Sequence, residues 1–130
     1  MALELKDYWM GRDKLYPEAL TPDIEAAASA LLERVNSLLV VFGEERTVNS
    51  GWRPPQVNAS TPNAALKSKH MTGHAIDLAD PDGDLDDWCS ENDGSRLIQY
   101  GLYMEHPAAT KGWCHLQNLP PKSGKRVFYP

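Results

Sequence analysis

The run Ser68-Lys69-His70-Met71-Thr72-Gly73-His74-Ala75-Ile76-Asp77-Leu78 sets an imidazole and a carboxylate on either side of a glycine, which permits a tight approach between loop and strand. Histidine nitrogen and aspartate oxygen both suit zinc at about 2 Å, and a catalytic zinc site typically takes three protein ligands plus one water. His70 and Asp77 supply two ligands. His115 is the best candidate for the third, because Trp113-Cys114-His115-Leu116-Gln117 reads as a strand able to hold the ring toward a neighbouring strand. Side chains alternate along a strand, so Trp113, His115 and Gln117 share one face and Cys114 takes the other.

These residues need elements to carry them. Thr21-Pro22 opens a helix, with a hydroxyl at the N-cap and proline in the first turn; Ile24, Ala28, Leu31, Val35, Leu38 and Phe42 recur at helical spacing, and Gly43 ends the run. Arg46 to Ser50 predicts a short strand, Gly51-Trp52-Arg53-Pro54-Pro55 a turn that stops pairing, and Gln56 to Lys67 an ordered polar loop. Ala75 to Leu78 alternates as a strand, Asp80 to Gly83 turns, and Leu85–Asn92 and Ser95–Tyr100 read as short helices. Leu102 to Glu105 and Trp113 to Gln117 make a hairpin around a Pro- and Gly-containing loop, and Pro120-Pro121 begins a tail. The class is α+β: helices against a small, mainly antiparallel sheet.

With 130 residues, 42% hydrophobic and 24% charged, the chain is expected to form one domain over 1–130. A net charge of −5 argues against a nucleic-acid partner. The start shows no basic-then-apolar export signal, and no stretch approaches the roughly 18 apolar residues that span a bilayer, so a cytoplasmic protein without a membrane partner is expected. Cys89 and Cys114 are expected to be free, buried thiols.

Ser68, His70, Gly73, Ala75 and Asp77, followed by Trp113 and His115, meet every defined position of S-x-H-x-x-G-x-A-x-D and W-x-H. The chain therefore resembles the zinc peptidases of the D-Ala-D-Ala carboxypeptidase and L-alanyl-D-glutamate endopeptidase family (peptidase M15). Ser50-Gly51-Trp52-Arg53-Pro54 is similar to the family's S-G-aromatic-R segment, so the likeness runs from about Ser50 to Gln117. It implies a Hedgehog/DD-peptidase-like fold and zinc on His70, Asp77 and His115. It further implies hydrolysis of a peptide bond in peptidoglycan stem peptides; the short chain and missing export signal look like the family's phage endolysins, with a plain cytoplasmic dipeptidase as the alternative, and a monomer is expected. Such an endolysin accumulates in the host cytoplasm and acts on the cell wall.

In this chemistry zinc lowers the pKa of its water and polarises the scissile carbonyl, while a carboxylate takes the water proton and passes it to the leaving amine. Many family members carry that glutamate three residues before the last histidine, where this chain has Gly112. Glu105 is the substitute, because the hairpin returns it near His115; the alternatives are a surface carboxylate or a lost base. By resemblance Arg53 holds a substrate carboxylate or helps stabilise the oxyanion. Ser68 either hydrogen-bonds substrate or caps local backbone.

A different reading is a non-catalytic zinc domain that binds cell wall or serves as a phage structural part, with Gly112 marking the lost base. His74 and His106 are expected to be supporting or surface histidines, and Trp9, Trp52 and Trp88 core or pocket wall. Asp80, Asp82, Asp84 and Glu91 imitate part of a calcium loop, but Leu85 stands where glycine is required, so a solvated acidic turn is expected.

Overall fold

Thr21 accepts a hydrogen bond from the Ile24 amide at 3.2 Å, Pro22 takes the first helical position, and Gly43 closes the helix at φ 90° with its amide on the Leu39 carbonyl. The longest helix thus runs Pro22–Phe42, as its spacing predicts, and buries Ala28, Leu31, Leu32, Val35, Leu38 and Leu39. In the computed structural model, which describes residues 2–130, it is the third of five α-helices. The others are α1 (Leu5–Trp9), α2 (Arg12–Leu15), α4 (Pro55–Ser60) and α5 (Asp84–Tyr100).

The strands are β1 (Val48–Ser50), β2 (Ala75–Asp80), β3 (Tyr103–Glu105), β4 (Gly112–Gln117) and β5 (Val127–Phe128). They form one sheet in the order β1-β2-β4-β3-β5, antiparallel except for the β3–β5 pair. The α+β class and the hairpin of β3 and β4 are as expected from the sequence. On β2 and β4, Ile76 and Leu78 join Cys114 and Leu116 in the buried core with Leu31, Val35 and Leu97. Alternation then sends Asp77, His115 and Gln117 to the opposite face.

Three local expectations need revision. The 56–67 stretch is not all loop: Pro54 is extended, Pro55 starts α4 where a missing N–H costs nothing, and Ser60 and Thr61 hydroxyls bond back to Val57 at 3.1 and 2.7 Å. The two short helices expected before Tyr100 are present, as the two arms of α5 on either side of non-helical backbone at 91–94. The tail supplies β5, anchored where the Arg126 and Phe128 carbonyls accept from the Met104 and His106 amides at 2.8 and 2.7 Å.

The acidic turn is not simply solvated. Asp80 is buried, and its two oxygens accept from the Leu85 and Asp86 amides at 3.0 and 2.8 Å, capping α5.

Candidate metal centre

β2 and β4 pair with Asp77 directly opposite His115, which puts both side chains on one face of the sheet. His70 comes from a 3-10 turn, Lys69–Thr72, ending at Gly73 with φ 83°. A Cβ at Gly73 would lie 2.8 Å from the Ile24 carbonyl oxygen, so the tight approach is between this turn and α3, not the strand, and it holds the turn beneath β2. Three elements thereby bring His70, Asp77 and His115 together, all buried, with one ligand atom from each lying within 4.8 Å of the other two.

The Asp77 carboxylate sits 2.9 Å from His115 Nδ1 and 3.3 Å from His70 Nε2. A tetrahedral ion with bonds of 2.0–2.1 Å needs donor atoms about 3.3–3.4 Å apart, so the His70–Asp77 spacing and the two-nitrogen, one-oxygen donor set suit zinc, while the 2.9 Å His115 contact, made to the other carboxylate oxygen, must open by a few tenths of an ångström to admit it. His70 Nδ1 lies 2.9 Å from the Gly51 carbonyl oxygen. A carbonyl only accepts, so that nitrogen carries the proton and Nε2 keeps its lone pair for an ion. Burial alone would raise the Asp77 pKa, but where no ion separates them the facing nitrogens of His115 and His70 act as hydrogen-bond donors to the carboxylate, which outweighs burial and holds the carboxyl far below its ordinary range. His115 shows the mirror effect: burial opposes its charge, yet Asp77 and then Glu105 push its pKa up. Among the described residues this is the one His/Cys/Asp/Glu group arranged for a metal.

The trio opens onto a cavity of about 500 Å³ whose walls include Arg53, Ser68, Lys69, Glu105, Trp113 and Phe128. Glu105 points a carboxylate oxygen to within 3.8 Å of His115 Nε2. Arg53 bonds Ser50 Oγ through Nε at 2.9 Å and reaches Asp77 Oδ2 through Nη2 at 3.3 Å, so it supports the central carboxylate as well as lining the cavity. The Ser68 hydroxyl accepts from the His70 amide at 3.2 Å, and the residue also lines the cavity. His74 pairs with Thr72, and His106 stacks on Tyr129 at 4.4 Å, both outside the trio. Trp52 is fully buried, with its indole N–H on the Met71 carbonyl at 3.1 Å. Both cysteines are free and buried.

Sequence reasoning assigned no role to the Gly51 carbonyl, Gln117 or Phe128. Phe128 sets its ring edge-on to His115 at 6.3 Å between centroids, from a strand too short to show periodicity. Gln117 accepts at 2.8 Å from His115 Nε2, and the only signal for it was its place two residues along the same strand face.

An α+β fold carrying a buried His/Asp/His trio at the floor of an open cavity has the makings of a metal-dependent hydrolase. The family model for Peptidase M15 matches residues 13–116, well over half the chain, and the chain belongs to that family, which makes it a metallopeptidase. No curated protein and no solved structure matches it.

Proposed function

We propose that this protein hydrolyses a peptide bond in the stem peptides of bacterial peptidoglycan, with zinc held by His70, Asp77 and His115. The observation that carries the reading is the convergence of that buried trio with Glu105 and Arg53 on one cavity. Bound there, zinc supplies Lewis acidity, making water nucleophilic near neutral pH and polarising a carbonyl.

The chain's own residues do the rest. Glu105 takes the proton of the attacking water and returns it to the departing amine as the carbon–nitrogen bond breaks and the carbon–oxygen bond forms. Arg53, anchored at Nε and Nη2, keeps Nη1 for a substrate carboxylate, and Lys69 adds positive charge to the same wall. Stem peptides carry free carboxylates and so complement that charge. The setting we propose is that of a monomeric phage-type endolysin, made in the host cytoplasm and acting on the wall. No helix among the described residues is long and apolar enough to cross a membrane.

The test measures zinc content and new amino groups released from purified peptidoglycan, with and without a chelator. About one zinc per chain with chelator-sensitive release supports the proposal, and the product ends identify a carboxypeptidase or an endopeptidase. Zinc without release favours a non-catalytic wall-binding zinc domain, a reading motivated by Gly112, which is exposed at φ 99° and carries no carboxylate. Absence of zinc refutes both. For the setting, production inside bacteria should be harmless until the membrane is permeabilised; lysis without permeabilisation would count against it.

A further inference from the structure

The two histidines present opposite nitrogens to Asp77, Nε2 from His70 and Nδ1 from His115, so each needs its proton on the other nitrogen. For His70 a backbone carbonyl enforces this. For His115 the enforcement rests on one side chain. Gln117 Nε2 donates to the Leu119 carbonyl at 2.7 Å, and because a carbonyl only accepts, that contact fixes which end of the amide is the NH2 group. The amide oxygen is then the end facing His115 Nε2 at 2.8 Å, and an amide oxygen can only accept. His115 Nε2 must therefore carry a hydrogen. Glu105, 3.8 Å from the same nitrogen, adds negative charge that favours a hydrogen there.

We infer that Gln117 is a positioning residue for the metal: by accepting the Nε2 hydrogen it holds His115 in the tautomer whose Nδ1 lone pair faces Asp77. The chain of contacts runs Leu119 carbonyl, Gln117 amide, His115 ring, metal position. Gln117 is 3% exposed, so water does not compete freely for either end. Its backbone pairs with Ala75 and Tyr103 in the sheet, which leaves the strand ladder intact when only the side chain changes. The inference rests on the proposed use of His70, Asp77 and His115 as ligands.

The experiment compares wild type, Gln117→Leu and Gln117→Glu by zinc competition against a chromogenic chelator and by long-range proton–nitrogen NMR of the zinc-loaded imidazoles. Leucine removes the acceptor; glutamate keeps one whichever oxygen faces the ring, and does not need Leu119 to orient it. Gln117→Leu should bind zinc about 10- to 100-fold more weakly and lose the single Nε2–H signature of His115, while Gln117→Glu should keep that signature and stay within about threefold of wild type. Melting of the chelated proteins separates these effects from general unfolding. Equal zinc affinity and an unchanged His115 tautomer in Gln117→Leu would overturn the role of Gln117 alone. Equal weakening in both variants, with the tautomer kept, would reduce Gln117 to a packing residue. Failure of the wild type to bind zinc would instead overturn the ligand assignment on which it rests.

Discussion

Gly51→Ala tests whether the amino-terminal helix and the metal site are mechanically joined. A Cβ at residue 51 would overlap the Tyr8 carbonyl oxygen outright and lie 2.8 Å from Tyr8 C and 2.9 Å from Tyr8 Cδ1. Tyr8 is fully buried, its hydroxyl donates to the Ala75 carbonyl at 2.8 Å, and its carbonyl accepts from the Trp52 amide at 3.0 Å, so it has little room to retreat. The backbone must open by on the order of 1 Å to restore ordinary contact. Overpacking of this kind costs about 1–3 kcal/mol, and stretching the Trp52 amide from Tyr8 adds roughly 1 kcal/mol, giving about 2–4 kcal/mol together. With an unfolding entropy of about 2.1 cal/mol/K per residue, that lowers Tm by roughly 7–15 °C. The same displacement draws the Gly51 carbonyl from His70 Nδ1, now 2.9 Å away, and should weaken zinc binding about tenfold or more. Calorimetric melting with chelator, followed by zinc competition, reads the two effects separately. A variant that melts within about 3 °C of wild type and binds zinc equally would refute the argument.

Glu105→Gln should retain zinc and lose about 10²- to 10⁴-fold in peptidoglycan turnover, measured as amino-group release; retained activity would remove Glu105 from the mechanism. Zinc at about 100 times its Kd should add roughly 2.7 kcal/mol to stability, so a chelator should lower Tm by about 10 °C in wild type and leave a double His70→Ala, His115→Ala variant unmoved. Burial raises the pKa of Asp86 from 3.8 to about 6, so the folded state holds its proton more tightly than the unfolded chain. The stability this lends is full below pH 4 and is lost as pH rises through 6, a difference on the order of 3 kcal/mol. Asp86→Asn removes the term, and its Tm relative to wild type should therefore rise between pH 4.5 and 7; parallel melting curves across that range would contradict it.

The sequence made α3 legible because its cap, first-turn proline, apolar spacing and closing glycine agree with one another. The two motif blocks were legible for a similar reason: β2 and β4 carry core residues on one face and candidate metal ligands on the other, so periodicity and chemistry coincide. α1 and α2 were not, since Leu5–Trp9 and Arg12–Leu15 are too short for a helical period and are separated by Met10 at φ 55°, which no residue type announces. Pro54-Pro55 was ambiguous because the same pair that ends a strand also begins a helix. The bond from Arg53 to Asp77 and the relay through Gln117 depend on side-chain reach across the fold, which linear spacing does not encode.

The pairing of Asp77 with His115 carries a consequence for how this site can vary. Strand registers are discrete: a shift of one residue sets Asp77 against Cys114 or Leu116 and turns the ligand away from the face, and a shift of two brings Trp113 or Gln117 opposite instead. The alternation of Ile76, Leu78, Cys114 and Leu116 into the core selects among these alignments. Two of the three candidate ligands thus belong to a lattice with integer positions, and damage to the packing behind them selects whole alignments instead of stretching bonds by degrees. Variants on the core face should then fall into two populations, one with native metal affinity and one with none.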